Sequence, residues 1–201
     1  MNRTQPVNWL EQRHEGYMVN TVFSDENATV LDTINTQLSD ELDDAVYTTT
    51  RDSLHITLLD WIAPLVDYDE TDKNLLYKRI CDEYDTALEK ACYNVGQIAV
   101  HFTEIRVSPS TIFIVGHDDG QFQAIRERFL DNVKLLPGTK LPPTIIHSSL
   151  ARFTKEINMD AVEKAVSNHH IDFMQHIDWF RLVHSYREPL LEFDELKRYK
   201  L

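Results

Sequence analysis

The chain has little to bend with, little to crosslink with and no long apolar run. Of its 201 residues only five are glycine and seven are proline. No Ser/Gly-rich or repetitive tract occurs, which leaves little room for a long linker or a disordered tail. A single compact domain over residues 1–201, made of two halves and large enough to bury a core, is expected. Its first dozen residues are expected to be the loosest. The two cysteines, Cys81 and Cys92, exclude a disulfide framework. They fall in a stretch, 75–95, whose apolar residues recur every three or four positions, and on such a helix they stand roughly 16 Å apart. They cannot pair with each other there, and they read as two buried thiols in a reducing compartment. No apolar run approaches the roughly 18 residues of a membrane span. The opening Met1-Asn2-Arg3-Thr4-Gln5-Pro6 leads into no signal-peptide core. A soluble cytoplasmic protein, acting as a monomer and without a membrane partner, is the expectation.

Positive charge is scarce as well. Twenty Lys and Arg stand against 33 Asp and Glu, a net charge of -13. A surface with that excess of carboxylates repels a phosphate backbone, so a long polynucleotide gripped along its length is excluded as a partner. A nucleotide, a cyclic nucleotide, a short oligonucleotide or one RNA end fits a locally basic cleft. The acidic runs Asp40-Glu41-Leu42-Asp43-Asp44 and Asp67-Tyr68-Asp69-Glu70 read as solvated turns and helix ends. No HExxH or related zinc pattern occurs among the nine histidines, and neither metal nor cofactor is expected.

What the chain does have is a pattern met twice. Leu54-His55-Ile56-Thr57-Leu58 and Ile146-His147-Ser148-Ser149-Leu150 share an apolar-His-x-Ser/Thr-Leu order. Read as strands, each puts the His and the hydroxyl two residues later on one face, with the apolar residues on the other. Two imidazoles and two hydroxyls in one cleft are suited to acid/base chemistry on a phosphate ester, because one neutral and one protonated imidazole can take and give a proton near neutrality. Thr57 and Ser149 would hydrogen-bond the non-bridging oxygens as charge builds up. Both limbs of the rate profile are expected near neutral pH.

The surrounding elements alternate. Strands are read at 17–23, 53–60, 97–107, 111–116, 144–153, 173–177, 180–186 and the last residues. Helices are read at 27–42, 71–95, 121–135 (ended by Pro137-Gly138) and 158–169. This is α/β of the α+β type with mostly antiparallel neighbours. Each His string is followed by a helix, and Glu104-Ile105-Arg106-Val107 answers Phe180-Arg181-Leu182-Val183. An internal duplication is therefore expected, with two mostly antiparallel sheets packed edge to edge around a central cleft, helices outside, and one His from each half.

The paired motifs, His55/Thr57 and His147/Ser149, resemble the signature of the 2H phosphoesterases. That family includes 2'-5' RNA ligase-like proteins, cyclic nucleotide phosphodiesterases and viral 2',5'-oligoadenylate phosphodiesterases. The similarity runs from about Tyr17 to Leu201, and Val183-His184-Ser185-Tyr186-Arg187-Glu188-Pro189-Leu190 resembles the family's closing segment. The resemblance implies a bilobal 2H fold, catalysis by His55 and His147, and hydrolysis of a 2',3'-cyclic phosphate or a 2',5'-linked or cyclic oligonucleotide. It also points to Tyr186 on the substrate side. Tyr17, Trp61 and Phe153 are further aromatics able to stack on a base, the last two expected in the core. Arg187 and Arg152 are candidates for a phosphate contact, although Arg152 falls out of phase with His147 and should face away. His184, two residues before Tyr186, is a further candidate for the cleft. Two rival readings are a nucleotide-binding or regulatory module of the same fold without turnover, and a metal-dependent hydrolase using several histidines.

Overall fold

The protein is described by a computed structural model covering residues 3–69 and 71–201, so Met1, Asn2 and Glu70 of the second acidic run lie outside the described residues. Among the described residues, four α-helices and nine strands follow one another as β1 (Arg13–Val22), α1 (Asp25–Leu42), β2 (Val46–Thr48), β3 (His55–Ile62), α2 (Lys73–Cys92), β4 (Ile98–Ser108), β5 (Thr111–His117), α3 (Gln121–Leu130), β6 (Ile146–Phe153), α4 (Met159–Val166), β7 (Phe173–Ile177), β8 (Trp179–Arg187) and β9 (Glu192–Lys200). The strands form two sheets, β3-β1-β8-β9 and β2-β6-β5-β4-β7, with antiparallel pairing throughout both.

Local chemistry sets the helix starts. Ser24, Asp72 and Asn158 each accept a hydrogen bond from a backbone N–H of the first turn of α1, α2 and α4, satisfying donors that have no partner within a helix. Each helix then buries one stripe: Leu31, Ile34 and Leu38 on α1, Ile80, Tyr84, Ala87 and Leu88 on α2, Phe122, Ile125 and Phe129 on α3. That is the spacing of a helix covering a sheet. Burying one such Leu, Ile or Phe side chain contributes about 1.5–3 kcal/mol, and the stripes join strands of both sheets in one apolar cluster.

Four expectations change. The third helix stops at Leu130, five residues early, because the Asn132 side chain donates to the Arg128 carbonyl at 2.7 Å, offering the backbone an alternative to another turn. The N-terminal residues are pinned: Thr4 N–H donates to the Ile157 carbonyl, Val7 N–H to Phe153 and Glu11 N–H to Glu188, all within 3.0 Å. The two halves are interleaved instead of packed edge to edge. The sequence β1-α1-β3-α2-β4 is answered by β5-α3-β6-α4-β8, but β4 and β8 each cross to the other half's sheet, where both take third place counted from the His strand. Of the two cysteines on α2, Cys92 is buried and Cys81 is only half-buried, and both are free thiols. Among the described residues no helix is long and apolar enough to cross a membrane.

Candidate active site

The two His strings occupy β3 and β6. In both strands the ladder slips by one residue at the Leu that ends the motif. Opposite β3, Asn20 faces Thr57 and Val19 faces Leu59, which leaves Leu58 over. Opposite β6, Phe113 faces Ser149 and Ile112 faces Ala151, which leaves Leu150 over. A bulge of this kind resets the in-out alternation. Leu58-Leu59 and Leu150-Ala151 are consecutive buried pairs, and the residue that follows each pair, Asp60 or Arg152, returns to the face of the His and the hydroxyl.

That face is shared. His55, Thr57, His147 and Ser149 all line one cavity of about 240 Å³. Arg152 lines it too, against the expectation that it faces away: its guanidinium donates to Ser149 Oγ at 3.0 Å and to Thr111 Oγ1, and lies 5.5 Å from the Trp9 ring. Strict in-out alternation holds along an unbroken strand, and the bulge at Leu150 breaks it.

The other substrate-side candidates are not brought there. Tyr17 points to α2, with its hydroxyl donating to Asn74 Oδ1 at 2.6 Å and its ring stacked on Tyr77 at 4.0 Å and on His184 at 4.2 Å. His184 is thereby buried on that side also. Tyr186 donates to Asp194 at 2.6 Å and lines a separate, larger groove of about 730 Å³ together with Arg51, Arg181 and Phe193. Arg187 is held by the Glu11 carbonyl at 2.8 Å and by Glu192 at 3.2 Å. Trp61 and Phe153 are fully buried in the core. The larger groove holds neither motif histidine, and both line the smaller cavity.

The electrostatics of the cleft follow from burial. The His55 Nδ1 lies 2.7 Å from the Ser53 carbonyl. A carbonyl only accepts, so Nδ1 carries the hydrogen and Nε2 keeps its lone pair. Burial pushes the His55 pKa down to about 4; the Ser53 carbonyl opposes this, and the cations Arg181 and Arg152 add to it. His147 is lowered by burial first, with the Ile145 carbonyl acting against it and Arg126 and Arg152 with it. Its Nδ1 has no partner of full hydrogen-bond geometry among the described residues. The ordinary imidazole value near 6.5 therefore does not hold in this cleft, because a charged imidazole loses hydration there.

Sequence reasoning missed four residues. Asp60 and Glu188 line the cavity as acids, and Trp9 closes one side. Arg126 of α3 lies behind it, 1% exposed. Its guanidinium donates to the carbonyls of Leu58 (2.8 Å), Thr57 (3.0 Å) and Ile145 (3.3 Å), so one side chain ties both motifs together. Signals existed for two of them. Asp60 aligns with Arg152 in the repeat, and Arg126 is a cation set among the apolar positions 122, 125 and 129. Among the described residues no group of three or more His, Cys, Asp or Glu is placed to hold a metal ion.

No protein-family model matches the chain, and no curated protein is similar enough to count as a match. Solved structures do match. TT0787 of Thermus thermophilus superposes with a TM-score of 0.64 at 14% identity, over 92% of this chain and 97% of that one. E. coli LigT complexed with 3'-AMP gives 0.58 at 12% identity over 94% and 99%. A phosphoesterase gives 0.54 at 12% over 94% and 98%. At these identities the likeness is one of fold. The chain has the bilobal α/β fold of LigT and of that phosphoesterase, as its resemblance to the 2H phosphoesterases implied.

Proposed function

We propose that this protein is a 2H-type phosphoesterase that hydrolyses a phosphodiester of a small nucleotide or an oligonucleotide, with His55 and His147 as general base and general acid. The observation that carries the reading is that both imidazoles, from strands in different sheets, line one cavity with Thr57, Ser149 and Arg152. A neutral imidazole removes the proton of an attacking water. Its oxygen bonds to phosphorus, the bond from phosphorus to the leaving ester oxygen breaks, and the protonated imidazole gives that oxygen its hydrogen. Thr57, Ser149 and Arg152 hydrogen-bond the non-bridging oxygens, whose charge grows in the transition state. The two histidines exchange roles when the direction reverses. Two imidazoles supply both proton transfers, so no metal is assigned a step.

The substrate class rests on the same cleft. LigT has been solved with 3'-AMP, ATP and NADP+, which supports nucleotide phosphates as ligands of the fold. The acidic surface, at -13 overall, favours small substrates: a 2',3'-cyclic phosphate, or a 2',5'-linked or cyclic oligonucleotide, over RNA ends to be ligated.

Turnover of such compounds should fall at least about a hundredfold in either His55→Ala or His147→Ala with the melting temperature retained, as for loss of a general acid or base. Near-normal rates in either variant would sink the mechanism. Nucleotide binding with no turnover in the parent protein would favour the binding-module reading.

A further inference from the structure

Two carboxylates in the cleft take no part in the proton transfers. Asp60 is the residue that the bulge on β3 returns to the motif face, and Glu188 opens the turn after β8. Both line the same 240 Å³ cavity as His55 and His147. Asp60 has no hydrogen-bond or ion-pair partner among the described residues, and burial alone raises its pKa, to about 6. Burial raises the Glu188 pKa first; its carboxylate accepts from Ser185 Oγ at 2.7 Å, feels Asp60 as a like charge, and is favoured by the Leu190 backbone and by Arg152 as an opposite charge. Two buried acids against one guanidinium is an arrangement that costs stability, and nothing in the strand geometry demands it. The equivalent bulge on β6 places Arg152 at the position of Asp60, so the third motif position accepts either sign. The repeat keeps its His and hydroxyl pairs, and at this cavity-lining position it reverses the sign of the charge.

We propose that Asp60 and Glu188 are specificity residues that admit a singly charged phosphodiester to the cleft and turn away a doubly charged phosphomonoester. This rests on the phosphoesterase reading above. A diester carries one negative charge, whereas a monoester carries nearly two at neutral pH, its second pKa being about 6. The added charge meets two carboxylates in a poorly solvated cavity, where charges act on one another more strongly than in water. Hydrolysis leaves a monoester that still holds one proton of the attacking water and carries one negative charge. Once that proton passes to the neutral imidazole or to solvent the product is a dianion, which the two carboxylates repel.

The test compares two ligands that differ by one methyl ester, and so in charge at phosphorus: 2'-O-methyladenosine 3'-monophosphate and its 3'-(methyl phosphate) diester, both unable to cyclise. Binding to the full chain is measured by calorimetry at pH 8 and low salt, for the parent, Asp60→Asn and Glu188→Gln, each checked by thermal melting. The expected result is that the parent prefers the diester. Asp60→Asn should strengthen monoester binding by about tenfold, or about 1.4 kcal/mol, and diester binding by less than about threefold, with Glu188→Gln acting in the same direction. Equal strengthening of both ligands overturns the proposal, since the acids would then act only as a diffuse field. No change, or weakening of both, overturns it too, since the carboxylates would then be contacting the sugar or supporting the fold. The two levels separate cleanly. A parent protein that turns over no phosphodiester removes the phosphoesterase reading, whereas normal turnover with unchanged selectivity in Asp60→Asn removes only this inference.

Discussion

Arg126 offers the sharpest test of how the site is held. Its guanidinium is buried over the Phe122 ring at 4.7 Å and gives three hydrogen bonds to carbonyls, those of Thr57 and the bulged Leu58 on one side of the cleft and of Ile145 on the other. Burial lowers its pKa to about 10, which leaves it charged at neutral pH. In Arg126→Met three carbonyls lose a charged donor, each such bond being worth about 1.5–3 kcal/mol. Removing a desolvated cation returns part of that loss. The balance is a destabilisation of about 2–4 kcal/mol, or a melting temperature lower by about 5–15 °C for a chain of this size. Arg126→Lys keeps the charge but not the planar fork, so it should recover part of the stability and little of the activity. The cation also holds the His147 pKa down, so Arg126→Met should raise it in an NMR titration of the imidazole. Melting, turnover and that titration are measured together. A Met variant melting within about 2 °C of the parent, with His147 titrating unchanged, would refute the claim that Arg126 spaces the two motifs.

Because kcat/KM reports the free enzyme and both imidazoles are lowered, His55 to about 4, its optimum should lie below pH 7 and decline on the alkaline side as the protonated imidazole is lost; an optimum above pH 8 contradicts this. Activity should survive EDTA, and a loss restored by added metal would favour the metal-dependent reading. Asp60 titrates at about 6 when folded against an ordinary 3.8, so its cost is absent below about pH 4 and complete once pH has risen past 6. Asp60→Asn should then be more stable than the parent at pH 8, by up to about 3 kcal/mol for a displacement of that size, and equal to it at pH 3; urea unfolding at both pH values decides.

Most of the elements were legible because their causes are local. Helix stripes and the His-x-Thr and His-x-Ser alternation act within a few residues. The short β2 was missed: three residues carry no periodicity, and Val46–Thr48 is a strand only because β6 lies beside it. The order of the repeat was visible, but its interleaving was not, since no local signal says which sheet β4 or β8 will join. Tyr17 and Arg187 were read by type, as an aromatic and a cation, and Tyr186 from the resemblance of the closing segment. Burial against Tyr77, the bond to Asp194 and the ion pairs with Glu11 and Glu192 gave them other partners.

The sequence by itself determined the chemistry on offer: two imidazoles, each with a hydroxyl two residues on, in a chain with a net charge of -13. Strand alternation is enough to put each pair on one face. Tertiary structure decided what stands beside them. The bulges at Leu58 and Leu150 exist only where a neighbouring strand slips by one residue, and that slip turns Asp60 and Arg152 inward. Glu188, Trp9 and the supporting Arg126 arrive from segments far along the chain. A pattern of period two describes a strand, but a bulge is a property of a pair of strands, and a cleft is a property of two sheets.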